Sequence, residues 1–154
     1  MVEFSHIKED RVHMVDIGEK SEVRRTATAR GKIYLRDSTL TAIREGGVVK
    51  GNVLATARIA ATLAVKDTPR LIPMCHSIPI SSINVDFAEE PGYIEAIVTV
   101  TSVGRTGVEM EALTGVSVAL LTVWDMVKSA EKDEYGQYPC TQITEIEVTE
   151  KRKG

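Results

Sequence analysis

Ile80-Ser81-Ser82-Ile83-Asn84-Val85-Asp86-Phe87 runs into Glu89-Glu90-Pro91-Gly92, and Tyr93-Ile94-Glu95-Ala96-Ile97-Val98-Thr99-Val100-Thr101-Ser102-Val103 follows. Apolar and polar residues alternate on both sides of a Pro-Gly turn. This is the pattern of a β-hairpin with one buried face. Gly104-Arg105-Thr106-Gly107 then reads as a connection into a long helix over residues 109–132. Leu113, Val116, Leu120, Val123 and Val127 recur at helical spacing and give that helix an apolar stripe. A polar loop over 133–139 leads to a last strand over 141–149, and residues 150–154 read as a solvated tail.

Upstream of the hairpin, residues 22–35 alternate as a strand. Arg24, Thr26, Thr28 and Arg30 fall on one face, and Val23, Arg25, Ala27 and Ala29 on the other. Asp37 and Ser38 are candidate N-caps for a short helix carrying Leu40 and Ile43, ended by Glu45-Gly46-Gly47. An alanine-rich helix then runs to about Lys66. Val53, Ala57, Ala60, Ala61 and Ala64 share its narrow small-residue face, and Asp67-Thr68-Pro69 is expected to stop it. Residues 71–79 read as a loop punctuated by Pro73 and Pro79.

With one helix set aside, the order is βαββαβ. The expected fold is therefore α+β, a ferredoxin-like subunit with an extra helix, its antiparallel sheet packed on helices. Residues 1–20 read as a mobile N-terminal arm with Met14-Val15-Asp16-Ile17 as a docking point, and 21–150 as a single domain.

Composition excludes several classes. The chain has 154 residues, 43% of them apolar and 27% charged, which suits one folded domain with a proper core. The net charge of −3 and the 5% aromatic content speak against a general nucleic-acid binder. No stretch reads as the run of roughly 18 apolar residues that a membrane span needs, and the N-terminus lacks the pattern of a secretory leader. Cys75 and Cys140 make neither a disulfide framework nor a zinc motif, so a reduced, cytoplasmic protein is expected.

Four places could carry chemistry. Gly46-Gly47-Val48-Val49-Lys50-Gly51-Asn52 opens a helix, where glycine backbone and Lys50 could meet an anion. Taken alone it reads more simply as a helix end and a turn, and it lacks Walker spacing. Met74-Cys75-His76-Ser77 lies on a loop. There His76 could hold a phosphate or move a proton, although taken alone it reads more simply as a structural or solvated histidine. Glu109-Met110-Glu111 begins the long helix, where acidic residues also suit the helix dipole. Asp125 and Lys128 are three apart on one helix face, within a largely apolar stretch. Glu111 and Asp125 lie on a similar face but roughly 21 Å apart along the axis. If both serve one small substrate, the site draws on two subunits.

Leu71-Ile72-Pro73-Met74-Cys75-His76-Ser77-Ile78-Pro79-Ile80, and the long block from Gly107 through Glu109-Met110-Glu111 to Trp124-Asp125-Met126-Val127-Lys128, resemble the signatures of a known family. Met14-Val15-Asp16 and Lys50-Gly51-Asn52 match it too, so the resemblance spans about residues 14–149. The family is that of cyclic pyranopterin monophosphate synthase (MoaC), in molybdenum cofactor biosynthesis. Met74 and Ser77 stand where leucine and proline are common in it.

The resemblance implies a pyrophosphate-releasing lyase. Its reaction turns 3′,8-cyclo-7,8-dihydroguanosine 5′-triphosphate into cyclic pyranopterin monophosphate. It further implies Asp125 as the central catalytic residue, Lys128 as acid/base and phosphate partner, and Lys50 as a general acid. Met74, Cys75, His76, Met110 and Glu111 would bind substrate, with Glu109 beside them and Cys75 as a contact rather than a nucleophile. The family's hexamer, a trimer of dimers with sites between subunits, agrees with the spacing of Glu111 and Asp125. No metal site of the protein's own is expected; Mg2+ would arrive on the triphosphate. The rivals on the same fold are a nucleotide sensor, which would release no pyrophosphate, and an RNA-binding scaffold, whose binding would weaken with salt.

Overall fold

The computed structural model describes residues 2–5, 7–8 and 11–154. Its elements are β1 (Ile7–Lys8), β2 (Arg11–Val12), β3 (Val23–Tyr34), α1 (Asp37–Glu45), α2 (Val53–Leu71), β4 (Ile80–Glu90), β5 (Tyr93–Gly104), α3 (Glu109–Glu131) and β6 (Gln142–Lys153). The main sheet is antiparallel, in the order β4-β5-β3-β6. Without the β1/β2 hairpin and α1, this is the ferredoxin-like βαββαβ arrangement expected from the sequence.

The alternation of β3 is borne out residue by residue. Ala27, Ala29 and Ile33 are fully buried and Arg25 nearly so, while Thr26, Thr28, Arg30, Lys32 and Tyr34 are half-exposed on the other face. On β5 the buried partners are Ile94, Ala96, Val98 and Val100. The β4–β5 hairpin closes more tightly than the sequence suggests. Its strands pair as far as Glu90 and Tyr93, leaving Pro91-Gly92 as the turn, with Gly92 at φ 88°.

α2 and α3 pack on the buried face of the sheet and against each other. Val116, Leu120, Val123 and Val127 of the expected stripe are buried, and Leu113 is half-buried against the core. Gly115 permits the close approach: a Cβ there would stand 2.9 Å from Val65 Cγ2 and 3.1 Å from Val98 Cγ1. By length and composition α3 could cross a membrane, with a mean hydropathy of 1.4 over its most apolar window. The sequence reading missed this run. Here it is the central helix of the core, and ten of its residues are buried.

Three boundaries differ from expectation. α2 runs through Pro69 to Leu71. The proline falls in the last turn, where it deletes one backbone donor. The turn still closes, because the Ile72 N–H donates to the Thr68 carbonyl at 2.9 Å and the buried Thr68 hydroxyl to the Ala64 carbonyl at 2.9 Å. α1 is capped by Arg36 rather than Asp37 or Ser38, and Asp37 sits in its first turn. β6 continues to Lys153, so the expected tail pairs with β3, Lys153 opposite Arg25.

The α1–α3–β6 junction is tied by one buried carboxylate. Glu131 accepts from the Thr39 hydroxyl, from the Thr141 hydroxyl at 2.8 Å and from the Arg36 N–H at 3.2 Å. Of the expected arm, residues 1, 6, 9 and 10 lie outside the described residues. The docking point is seen: the Val15 carbonyl meets the His76 ring.

Candidate functional site

The side chains singled out in the sequence gather in two places, near opposite ends of α3. At the C-terminal end, Asp125 stands between two ammonium groups. Lys128, one turn on, places Nζ 3.0 Å from Oδ1. Lys50 comes from the α1–α2 connection, its Nζ 3.1 Å from Oδ2 and 3.0 Å from the Asp125 carbonyl oxygen. That connection can present Lys50 because glycines on both sides take left-handed backbone: Gly46 at φ 73° caps α1 and Gly51 at φ 111° precedes the Asn52 cap of α2.

The electrostatics are consistent across this cluster. The hydrogen bond from Lys128, then that from Lys50, hold the Asp125 carboxyl below its ordinary range. The same bond to Asp125 raises the Lys128 ammonium. All three side chains are solvent-accessible, so the pairs add little to stability. Their significance is chemical: one ionised carboxylate and two cations, open to an incoming anion.

Near the N-terminal end of α3 lies a cavity of about 860 Å³, lined by Met74, Cys75, His76, Glu109 and Met110, with Val15, Ile17, Lys20 and Thr106. A second cavity of about 560 Å³ shares Val15, Ile17 and His76 with it. The segment around Val15 therefore borders both. Glu109 pairs with Lys151 of β6 at 2.6 Å.

Glu111 stands behind Cys75. The thiol donates to Oε1 at 3.6 Å, and Oε2 is buried with no hydrogen-bond partner. Burial pushes the Glu111 carboxyl up. Burial, then the neighbouring Glu111, pushes the Cys75 thiol up to about 11. A thiol so raised is a poor nucleophile near neutral pH, in keeping with a contact role.

Neither cavity includes Lys50, Asp125 or Lys128. The chain thus brings together Lys50, Asp125 and Lys128 on one surface, and Met74, Cys75, His76, Glu109, Met110 and Glu111 at the other. Sequence reading missed Lys151 and Tyr138. Lys151 lay in the supposed tail and Tyr138 packs against Trp124 from a polar loop; neither has a local signal.

The model of the MoaC family matches residues 14–154. A probable cyclic pyranopterin monophosphate synthase of Methanoregula boonei is 71% identical over all of this chain and 99% of its own length. One from Methanosphaerula palustris is 70% identical over the whole of both chains. One from Methanospirillum hungatei is 65% identical over 97% of this chain and 96% of its own. With a family model covering most of its length and full-length relatives at such identity, the chain belongs to the MoaC family.

Proposed function

We propose that the chain is a pyrophosphate-releasing lyase of molybdenum cofactor biosynthesis. Its reaction converts 3′,8-cyclo-7,8-dihydroguanosine 5′-triphosphate into cyclic pyranopterin monophosphate. Relatives of 65–71% identity carry the name of that synthase. The single observation that carries the residue-level reading is the Lys50–Asp125–Lys128 cluster, in which two ammonium groups flank one carboxylate.

The chemistry follows from those groups. The purine ring opens and is rebuilt, which takes proton donors and acceptors. A cyclic phosphate then closes as a substrate oxygen bonds to the α-phosphorus and the bond to pyrophosphate breaks. Asp125, held ionised, accepts protons. Lys50 serves as general acid, and Lys128 donates to the phosphate and exchanges protons with Asp125. The two cations also balance negative charge on the departing pyrophosphate. Met74, Cys75, His76, Met110 and Glu111 form the purine end, with Glu109 at its rim.

One site is built from both clusters if they come from neighbouring copies. The family's homohexamer, a trimer of dimers, provides such neighbours, and exposed Ile59 and Leu63 on α2 and Leu121 on α3 suit burial between subunits. Among the described residues no three His, Cys, Asp or Glu side chains converge as a metal site. We place Mg2+ on the triphosphate, as part of the substrate, because phosphate oxygens suit this hard cation. The two free thiols suit a cytoplasmic setting. The reading has no part for nucleic acid or membrane. The test is incubation with the cyclised guanosine triphosphate, following pterin fluorescence and pyrophosphate; nucleotide binding without pyrophosphate release would overturn it.

A further inference from the structure

The geometry points to Tyr138 as a positioning residue for Lys128, its ring forming a wall that keeps the Lys128 side chain turned toward Asp125. The inference rests on the site reading above and adds to it a residue from outside both clusters. Trp124, Lys128 and Lys132 follow one another at four-residue spacing along the end of α3, so they form one stripe. Tyr138 meets both ends of that stripe. Its ring stands edge-on to Trp124, centroids 5.1 Å apart and planes at 69°. Lys132 Nζ lies 6.0 Å from its centroid. A ring that contacts the first and third members of a stripe stands beside the second.

The second member is Lys128, whose Nζ is 3.0 Å from Asp125 Oδ1. Lysine carries its charge on a flexible four-carbon stem. The Lys128 side chain is 44% exposed, so its neighbours decide which rotamers remain. The Tyr138 ring blocks those on its side of the stripe. The ring itself is braced. Trp124 packs against the core. The loop before Tyr138 is closed on itself, with Asp133 Oδ1 accepting from the N–H groups of Tyr135 and Gln137 at 2.9 Å each, and the Asp133 N–H donating to the Gln137 carbonyl at 2.9 Å. Support thus passes from the core through Trp124 to Tyr138 and on to the lysine.

Two measurements on the full-length protein test this, one of which needs no turnover. Trace labelling with acetic anhydride, read by peptide mass spectrometry, reports the reactivity of Lys128. In Tyr138→Ala, Lys128 labels faster than in the wild type while a remote lysine such as Lys66 does not. Turnover of the cyclised nucleotide falls about tenfold in kcat with KM little changed, the scale of a modest misplacement of a reacting group. Tyr138→Phe, which keeps the ring, restores both readouts. Tyr138→Leu replaces the alanine variant if that variant is misfolded by circular dichroism.

Wild-type Lys128 labelling in the ring-less variant overturns the inference, and so does a Phe variant as impaired as Ala. Altered labelling without loss of kcat overturns it too, provided that Asp125→Asn is inactive. If Asp125→Asn stays active, the site reading has failed, and the labelling still decides whether Tyr138 confines Lys128.

Discussion

Lys50 and Asp125 are 75 residues apart in sequence and 3.1 Å apart in space, Nζ to Oδ2, within a single chain. A loop lysine and a helix aspartate are thus delivered together by the packing of α2 on α3. The cation and the carboxylate belong to one copy, whatever the assembly adds.

Asp125→Asn keeps the shape and removes the charge. Turnover should fall by about 10²–10⁴-fold, the usual range for a lost proton-transfer group. Because the side chain is exposed, thermal unfolding and subunit assembly should be unchanged. Pterin fluorescence and size-exclusion chromatography check the two halves; an active Asn variant would refute the role.

Subunit mixing separates contacts within a chain from contacts between chains. An Asp125→Asn protein mixed with a Lys50→Ala protein should stay inactive, because both losses fall on the same cluster. Mixed instead with His76→Ala, it should recover about a quarter of wild-type activity in fully exchanged two-chain sites. Recovery is measured after subunits are unfolded and refolded together, with mixed oligomers verified by mass spectrometry.

Cys75 should resist alkylation. With its thiol pushed up to about 11, only about one part in a thousand is thiolate at pH 8. The exposed Cys140 should react first with iodoacetamide, and Cys75 should follow only as the pH rises. The same raised value means that above the ordinary thiol range the unfolded chain loses this proton more readily than the folded one. Stability should therefore fall with increasing alkalinity. Peptide mapping over time and unfolding at several pH values measure both effects.

Glu111→Gln should stabilise the fold at neutral pH. Its carboxyl is raised by burial, so the folded state keeps the proton longer than the unfolded one, and the native form loses stability as pH climbs past the ordinary carboxylate range. A glutamine removes that penalty. The melting temperature should rise by a few degrees at pH 7.5, and the gain should vanish near pH 4. Substrate affinity should drop in the same variant if Glu111 serves the purine end.

Much of the fold could be read from the chain. The β3 alternation and the β4–β5 hairpin follow a two-residue period because one face is buried, and the α3 stripe follows the helical one for the same reason. β6 beyond Thr149 escaped because its residues there are exposed on an edge, which leaves no burial period to see. α2 passed its proline because buried Thr68 anchors the last turn. Of the site, Asp125 and Lys128 were legible as neighbours on one helix face. The arrival of Lys50 was not, since no local pattern encodes a contact across 75 positions. Tyr138 escaped because its polar loop carries no periodic pattern that would set it against Trp124.

The Glu131 junction carries a consequence for how such chains can change over time. Its carboxylate, the hydroxyls of Thr39 and Thr141 and the Arg36 N–H satisfy one another away from water, six residues beyond Asp125. Deleting one partner strands the rest as desolvated polar atoms, whereas replacing them jointly with apolar groups need not. These positions should therefore drift as a set across lineages, and an isolated substitution in it should be felt at the Asp125 end of the helix.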